Sequence, residues 1–308
     1  MSAHEEMNEA LIDAAWKGRA EVVRVLLAAG ADVHAEKDAA IKSAAQKGCT
    51  KAVRILLDSG ADVHADGDEP LCLAAREGRT KTVRALIEAG ADVGSRNNTA
   101  LYVAAANGHV ETALALIKAG ADVHARGNQA LIGAACNGHT EMVKVLVAAG
   151  AHVRVNGDKA LQKAAANGFT ETVLALIGVG AQVGANGLGA LAWAVYRGHA
   201  DTVRALIESG ADISSVPRWT IRDAAKEGHT EALQALLGAD RVFDAGEDSR
   251  ECRFIGLRLN GKVMFAAGNV WLGIERAIKY YDANPDVLVR VKRVARWAAR
   301  KERMSSAA

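Results

Sequence analysis

Apolar residues recur along this chain on two scales. On the short scale they fall at helical spacing. Leu101, Ala104 and Ala105 share one face of a stretch that starts at Asn98, and Leu114, Leu116 and Ile117 follow between Glu111 and Lys118. On the long scale the same two segments return every 30 residues. Leucine or isoleucine stands at Leu11, Ile41, Leu71, Leu101, Leu131, Leu161, Leu191 and Ile221, and a Gly-Ala pair begins at Gly30, Gly60, Gly90, Gly120, Gly150, Gly180 and Gly210. A fixed period of this length marks one supersecondary unit stacked many times. Two short helices per copy are predicted.

The polar punctuation supports that division. Gly108 supplies the left-handed residue that ends the first helix, and Gly120 closes the second. Asn98 is expected to cap the first helix through its side-chain oxygen, with Asp38, Asp68, Asn128 and Asp158 doing so in other copies. Acids open the second helix in six of eight copies, at Glu21, Glu111, Glu141, Glu171, Asp201 and Glu231, where the helix dipole favours them. Ala-Ala pairs such as Ala44-Ala45 and Ala134-Ala135 let neighbouring helices approach closely, while Val53, Leu56 and Leu57 fill the space between layers. Neither helix buries its apolar stripe alone, so the stack is the folding unit.

From Leu131 to Val153 the chain reads L-x-x-A-A-x-x-G-H-x-E-x-V-x-x-L-(I/L/V)-x-x-G-A-D-V, with His152 in the Asp position. This pattern resembles the ankyrin repeat, over about residues 7–240. Two departures stand out. The family period is 33, and the deficit here lies between Gly-Ala and the next leucine, where the family builds a projecting β-hairpin. The family's T-P-L-H has also become x-A-L-x. Proline survives only at Pro70, and Ile12, Lys42, Cys72, Tyr102, Ile132, Gln162, Ala192 and Arg222 replace the histidine. In its period alone the chain is similar to compact ankyrin variants of giant DNA viruses. The resemblance implies an all-α fold, an ankyrin-like α-solenoid of eight helix-turn-helix repeats in residues 1–240, starting near 8, 38, 68, 98, 128, 158, 188 and 218. The short period predicts tight loops with little or no hairpin finger.

The period fails after Leu237. Residues 239–252 read as a polar linker. Asn260-Gly261 between apolar-rich runs predicts a β-hairpin over 254–265. Asn269 is the expected cap of a helix over about 270–282, and Pro285 precedes a last helix over 286–303. Residues 241–308 thus read as a small α+β segment that packs on the eighth repeat and closes the apolar end of the stack.

Charge sharpens this division. The formal net charge of +2 splits into +6 over residues 241–308 and −4 over 1–240. The last helix carries Arg290, Lys292, Arg293, Arg296, Arg300, Lys301 and Arg303 beside an apolar stripe of Val287, Val291, Val294 and Ala298. One reading is contact with nucleic-acid phosphates or an anionic surface. The other is a solvated cap helix. Half the residues are apolar but only 4% aromatic, as stacked short helices require. No apolar run resembles a signal peptide or a membrane span. Cys49, Cys72, Cys136 and Cys252 show no pairing pattern, so a reducing cytoplasm is the expected setting.

In ankyrin-like stacks partners contact the inner helix surface, and the resemblance carries this to the positions after each Ala-Ala pair and after each repeat leucine. There the side chains vary while the scaffold repeats. Trp16, Arg76, Tyr102, Trp193, Tyr196, Arg197, Trp219 and Arg222 are the candidate partner-binding residues, concentrated in repeats seven and eight. Tyr, Trp and Arg are the residues most often found at binding hot spots. The competing reading is that the late aromatics bury the 241–308 segment.

Catalytic and metal chemistry is not expected, and no cofactor is. His109, His139, His199 and His229 follow helix-ending glycines, where the family uses histidine for local hydrogen bonds. His34 and His64 stand one repeat apart, roughly 10 Å, whereas two zinc-bound nitrogens lie about 3 Å apart given bonds near 2.0 Å. Cys136 and His139 span a helix end without an orienting third group. Asp32, Asp62, Asp92 and Asp122 recur with the period, which marks loop hydrogen bonding. No phosphate-binding glycine motif is present. The expected function is a non-enzymatic module binding another protein through the groove, or nucleic acid through 286–303.

Overall fold

The computed structural model describes residues 3–184, 189–237, 242–247, 253–259, 262–267 and 270–273. They fall into two compact units, 1–160 and 161–308.

The first unit holds α1 (Ala3–Trp16), α2 (Ala20–Ala28), α3 (Ala35–Lys47), α4 (Thr50–Asp58), α5 (Ala65–Arg76), α6 (Thr80–Glu88), α7 (Ser95–Ala106), α8 (Val110–Lys118), α9 (Ala125–Cys136) and α10 (Thr140–Ala148). Helix α11 (Val155–Ala166) carries the chain into the second unit. Odd-numbered helices α1, α3, α5, α7 and α9 pack in succession as one layer, and even-numbered α2 to α10 as the other. The periodic leucines Leu11, Leu71, Leu101 and Leu131 and the alanine pairs are buried between them, with Val23, Val53, Val83 and Leu116 from the second helices. Each such leucine contributes about 1.5–3 kcal/mol relative to exposure.

A run of three left-handed residues stands at the start of each of α3, α5, α7, α9 and α11: Glu36-Lys37-Asp38, Asp66-Gly67-Asp68, Arg96-Asn97-Asn98, Arg126-Gly127-Asn128 and Asn156-Gly157-Asp158. Gly, Asn and Asp dominate these runs because they bear the left-handed region at least cost. One tight turn therefore stands where a hairpin would project.

The third residue of the first four runs works differently from the sequence expectation. Asp38 Oδ1 accepts the backbone N–H of Asp62 (2.9 Å), 24 residues away, not one in its own helix. Asp68 does the same for Asp92 (2.8 Å), Asn98 for Asp122 (2.7 Å) and Asn128 for His152 (2.7 Å). The left-handed backbone aims the side chain across the repeat, so it ties the loop after the second helix to the start of the first. The loop aspartates complete the tie. Asp32, Asp62 and Asp122 each accept the N–H of the histidine two residues on, at 2.9, 2.9 and 2.8 Å.

Neighbouring repeats are joined at the residue after the helix-ending glycine. Arg79 Nε donates to the carbonyl of Gln46 (3.3 Å), and Nε2 of His109 and His139 to those of Arg76 (2.9 Å) and Ala106 (3.0 Å). The local bonds expected of these histidines are thus replaced by bonds reaching 33 residues back. The room comes from the preceding glycine. A Cβ at Gly78 would lie 2.5 Å from His109 Nδ1. Second helices are joined by hydroxyl pairs, Thr50 to Thr82 and Thr80 to Thr112, both 2.8 Å.

The second unit continues with α12 (Thr170–Gly178), α13 (Ala190–Arg197), α14 (Ala200–Glu208), α15 (Arg218–Lys226) and α16 (Thr230–Leu237). His199 Nε2 again reaches back, to Ala166 (3.0 Å), and Thr170 pairs with Thr202 (2.8 Å). Strands β1 (Val242–Glu247), β2 (Arg253–Leu259), β3 (Lys262–Ala267) and β4 (Val270–Gly273) form an antiparallel sheet in sequential order. The hairpin partners β2 and β3 pair with Leu259 opposite Lys262. Two expectations are corrected. The stretch 239–252 is not all linker, because Val242–Glu247 pairs with β2. No helix starts at 270, because Val270 pairs with Ala267. Gly268-Asn269 is itself a two-residue hairpin signal, which competes with the helix-cap reading of that asparagine. Strands β1 and β2 touch α16 and α15. The remainder of the expected helix 270–282 and all of 286–303 lie outside the described residues.

Candidate functional site

The first-helix layer positions the candidate residues. Its buried face is fixed by the leucine and alanine pair, so the residue after the pair emerges on the other side. Trp16 ends α1 with 40% of its surface exposed. The Lys47 ammonium, from α3, lies 3.8 Å from the centre of its ring. Sequence reasoning misses that cation–π contact, because its 31-residue spacing joins unlike positions of neighbouring repeats. Around Trp16, Glu9, Ile12, Asp13, Glu36 and Ser43 line an open depression of about 420 Å³. Lys17 holds Asp13 at 2.8 Å.

Arg76 is exposed at the end of α5. Tyr102 is half-buried on α7, facing Gly133 of α9, where an added Cβ would come within 3.1 Å of its ring. That glycine is the space into which the tyrosine leans.

In the second unit three candidates meet. Trp193 and Tyr196 on α13 contact edge to face, with ring centres 6.0 Å apart and planes at 86°. Tyr196 in turn meets Trp219 on α15 at 6.0 Å and 67°. Trp193 and Tyr196 are half-buried, and Trp219 is 38% exposed. Arg197 is exposed beside them. Arg222 is half-buried, with its Nε donating to Asp223 at 2.9 Å. The candidates thus form one aromatic ladder across α13 and α15, while Trp16, Arg76 and Tyr102 stand on separate helices of the first unit. The basic residues Arg290 to Arg303 lie outside the described residues.

The titrating groups have structural causes. Burial pushes the Cys72 thiol up, and burial also raises Cys49 against the lowering effect of Arg79 and Lys47. The Lys42 hydrogen bond, at 2.7 Å, holds the Asp66 carboxyl below its ordinary value. His139 directs its Nε2 to the Ala106 carbonyl of the preceding repeat, at 3.0 Å. Among the described residues no group of three or more His, Cys, Asp or Glu is arranged around a metal, and no helix is long and apolar enough to cross a membrane.

A family model described as ankyrin repeats (3 copies) matches residues 11–97, 41–127, 94–157 and 131–217. The chain belongs to the ankyrin-repeat family. Ankyrin repeats are generally protein–protein interaction modules and non-enzymatic binding scaffolds. No curated protein matches this ankyrin chain. The helix pairs of the two units are its all-α repeats, and the aromatic ladder sits on first helices.

Proposed function

We propose that this ankyrin-repeat protein binds a partner protein in the cytoplasm through the exposed side of its first helices, chiefly at α13 and α15. The observation that carries this reading is the ladder Trp193–Tyr196–Trp219, three aromatics in successive edge contact and part-exposed in a chain with few aromatics. Large rigid rings supply contact area with little entropy to lose on binding. Each edge-to-face pair adds about 0.5–1.5 kcal/mol and holds the surface preorganised. In this reading residues 1–240 are eight repeats and carry recognition, and 241–308 closes the end of the stack; the contacts of β1 with α16 and of β2 with α15 support that arrangement.

The test is affinity capture from the native cytoplasm with wild type and with Trp193→Ala and Tyr196→Ala variants whose melting curves show them folded. The proposal expects the captured partner's affinity to fall by about tenfold or more per substitution, 1.4 kcal/mol or above. Unchanged affinity in both variants refutes it. The excess charge of +6 in residues 241–308 favours one second reading, contact with nucleic acid through 286–303. Its signature is affinity that falls steeply with salt, and binding insensitive to salt removes it.

A further inference from the structure

Two departures from the repeat coincide at the fourth and fifth loops. In the first two loops the histidine faces a carboxylate of its own turn: His34 Nδ1 is 3.1 Å from Asp38 Oδ1, and His64 Nδ1 is 3.0 Å from Asp68 Oδ1. At the fourth loop the corresponding pair is His124 and Asn128. Asn128 spends its oxygen on the N–H of His152, and no bond ties the His124 ring to it. In the following loop, His152 stands where the pattern has aspartate. The two imidazoles meet at 4.4 Å between centres with planes at 41°.

Both residues are exposed. Each donates through its backbone N–H, to Asp122 and Asn128. Among the described residues their ring nitrogens take no hydrogen-bond partner. The nearby Arg126 guanidinium is turned to Thr99 and to the Arg96 carbonyl. Equivalent histidines are separated by a whole repeat, roughly 8–10 Å, which forbids sharing a metal. His124 and His152 are not equivalent: they are 28 residues apart, and the offset cancels most of that distance.

We propose that His124 and His152 form a two-imidazole chelate for a late first-row divalent cation such as zinc. Two nitrogens on one zinc must come to about 3 Å, given bonds of about 2.0–2.1 Å, and rings already in contact reach this by side-chain rotation. Neutral imidazole is a preferred donor for this class of metal. The backbone bonds that seat both residues hold their Cα positions while the rings turn. The other coordination positions remain for water or for a donor on a second molecule.

The experiment is calorimetric titration of the untagged full-length chain with zinc chloride, read alongside the imidazole proton signals in NMR. The expected result is one saturable site, with the His124 and His152 ring signals moving first. His152→Gln places there the residue that the next repeat carries at Gln182, so it keeps the loop. It is expected to weaken zinc binding by about tenfold or more, as is His124→Ala, while His34→Ala leaves it unchanged. Absence of saturable binding in the wild type, or binding undiminished in His152→Gln and His124→Ala, overturns the proposal. So does an equal loss in His34→Ala.

Discussion

The bond between neighbouring repeats gives the most demanding prediction. Gly78 has φ of +65° and ends α5, and the His109 ring of the next repeat lies over it. An added methyl at Gly78 would sit 2.5 Å from Nδ1, 2.7 Å from Cγ and 2.9 Å from Cε1. The left-handed backbone alone costs alanine about 1–2 kcal/mol. The ring must also move, which breaks its Nε2–H bond to the Arg76 carbonyl (2.9 Å), a further loss of about 0.5–1.5 kcal/mol. Gly78→Ala is therefore expected to cost about 1.5–3.5 kcal/mol. In a His109→Ala background the clash is gone and only the backbone term remains. A double-mutant cycle by urea denaturation, with an unchanged slope in each variant, should show about 0.5–1.5 kcal/mol of coupling. Gly90→Ala provides the contrast. Its φ is +100°, but an added methyl meets nothing within 4 Å, so its cost should be independent of His109. Additive costs for Gly78→Ala and His109→Ala would refute the idea that the glycine is there to admit the ring.

Three further outcomes are expected. Asp68→Ala strands the Asp92 N–H and should lower stability by about 1–3 kcal/mol in thermal melts. Asp68→Asn should keep most of it, because Asn98 and Asn128 already make the same bond. Asp66 is exposed and its carboxyl is held low by Lys42. The small stability from that pair is present above the ordinary aspartate value, near 3.9, and fades as pH falls through the depressed one. Carboxyl NMR should show a midpoint below the ordinary value in wild type that rises in Lys42→Met. Cys72 is buried with its thiol pushed up, so iodoacetamide, followed by peptide mapping, should modify it at least about tenfold more slowly than in urea.

Part of the candidate surface is legible in the sequence. Scarcity and repeat position single out Trp193, Tyr196 and Trp219, and the three rings do meet. The Lys47 contact on Trp16 and the His124–His152 pair are not legible. Both depend on offsets between unlike positions of neighbouring repeats, 31 and 28 residues, and a periodic reading compares only like with like. The departure at Val270 has a different cause. Asparagine as a residue type suits both a helix cap and a hairpin turn, so residue type alone does not separate a helix from the strand in which Val270 pairs with Ala267.

Local spacing of leucine, alanine and glycine was enough to establish the helical repeat, its length and its buried face, because each copy restates them. The 30-residue period likewise required a turn in place of the hairpin, since too few residues remain for one. The duties of the polar residues came instead from packing. Asp38, Asp68 and Asn98 have the chemistry of helix caps, yet a left-handed backbone turns them toward loops 24 residues away. His109 and His139 have the chemistry of local bonding, yet the preceding repeat presents a carbonyl and a glycine that leaves room. A hydrogen-bonding group takes the partner that the packed neighbour brings within about 3 Å, and that neighbour is set by the stack.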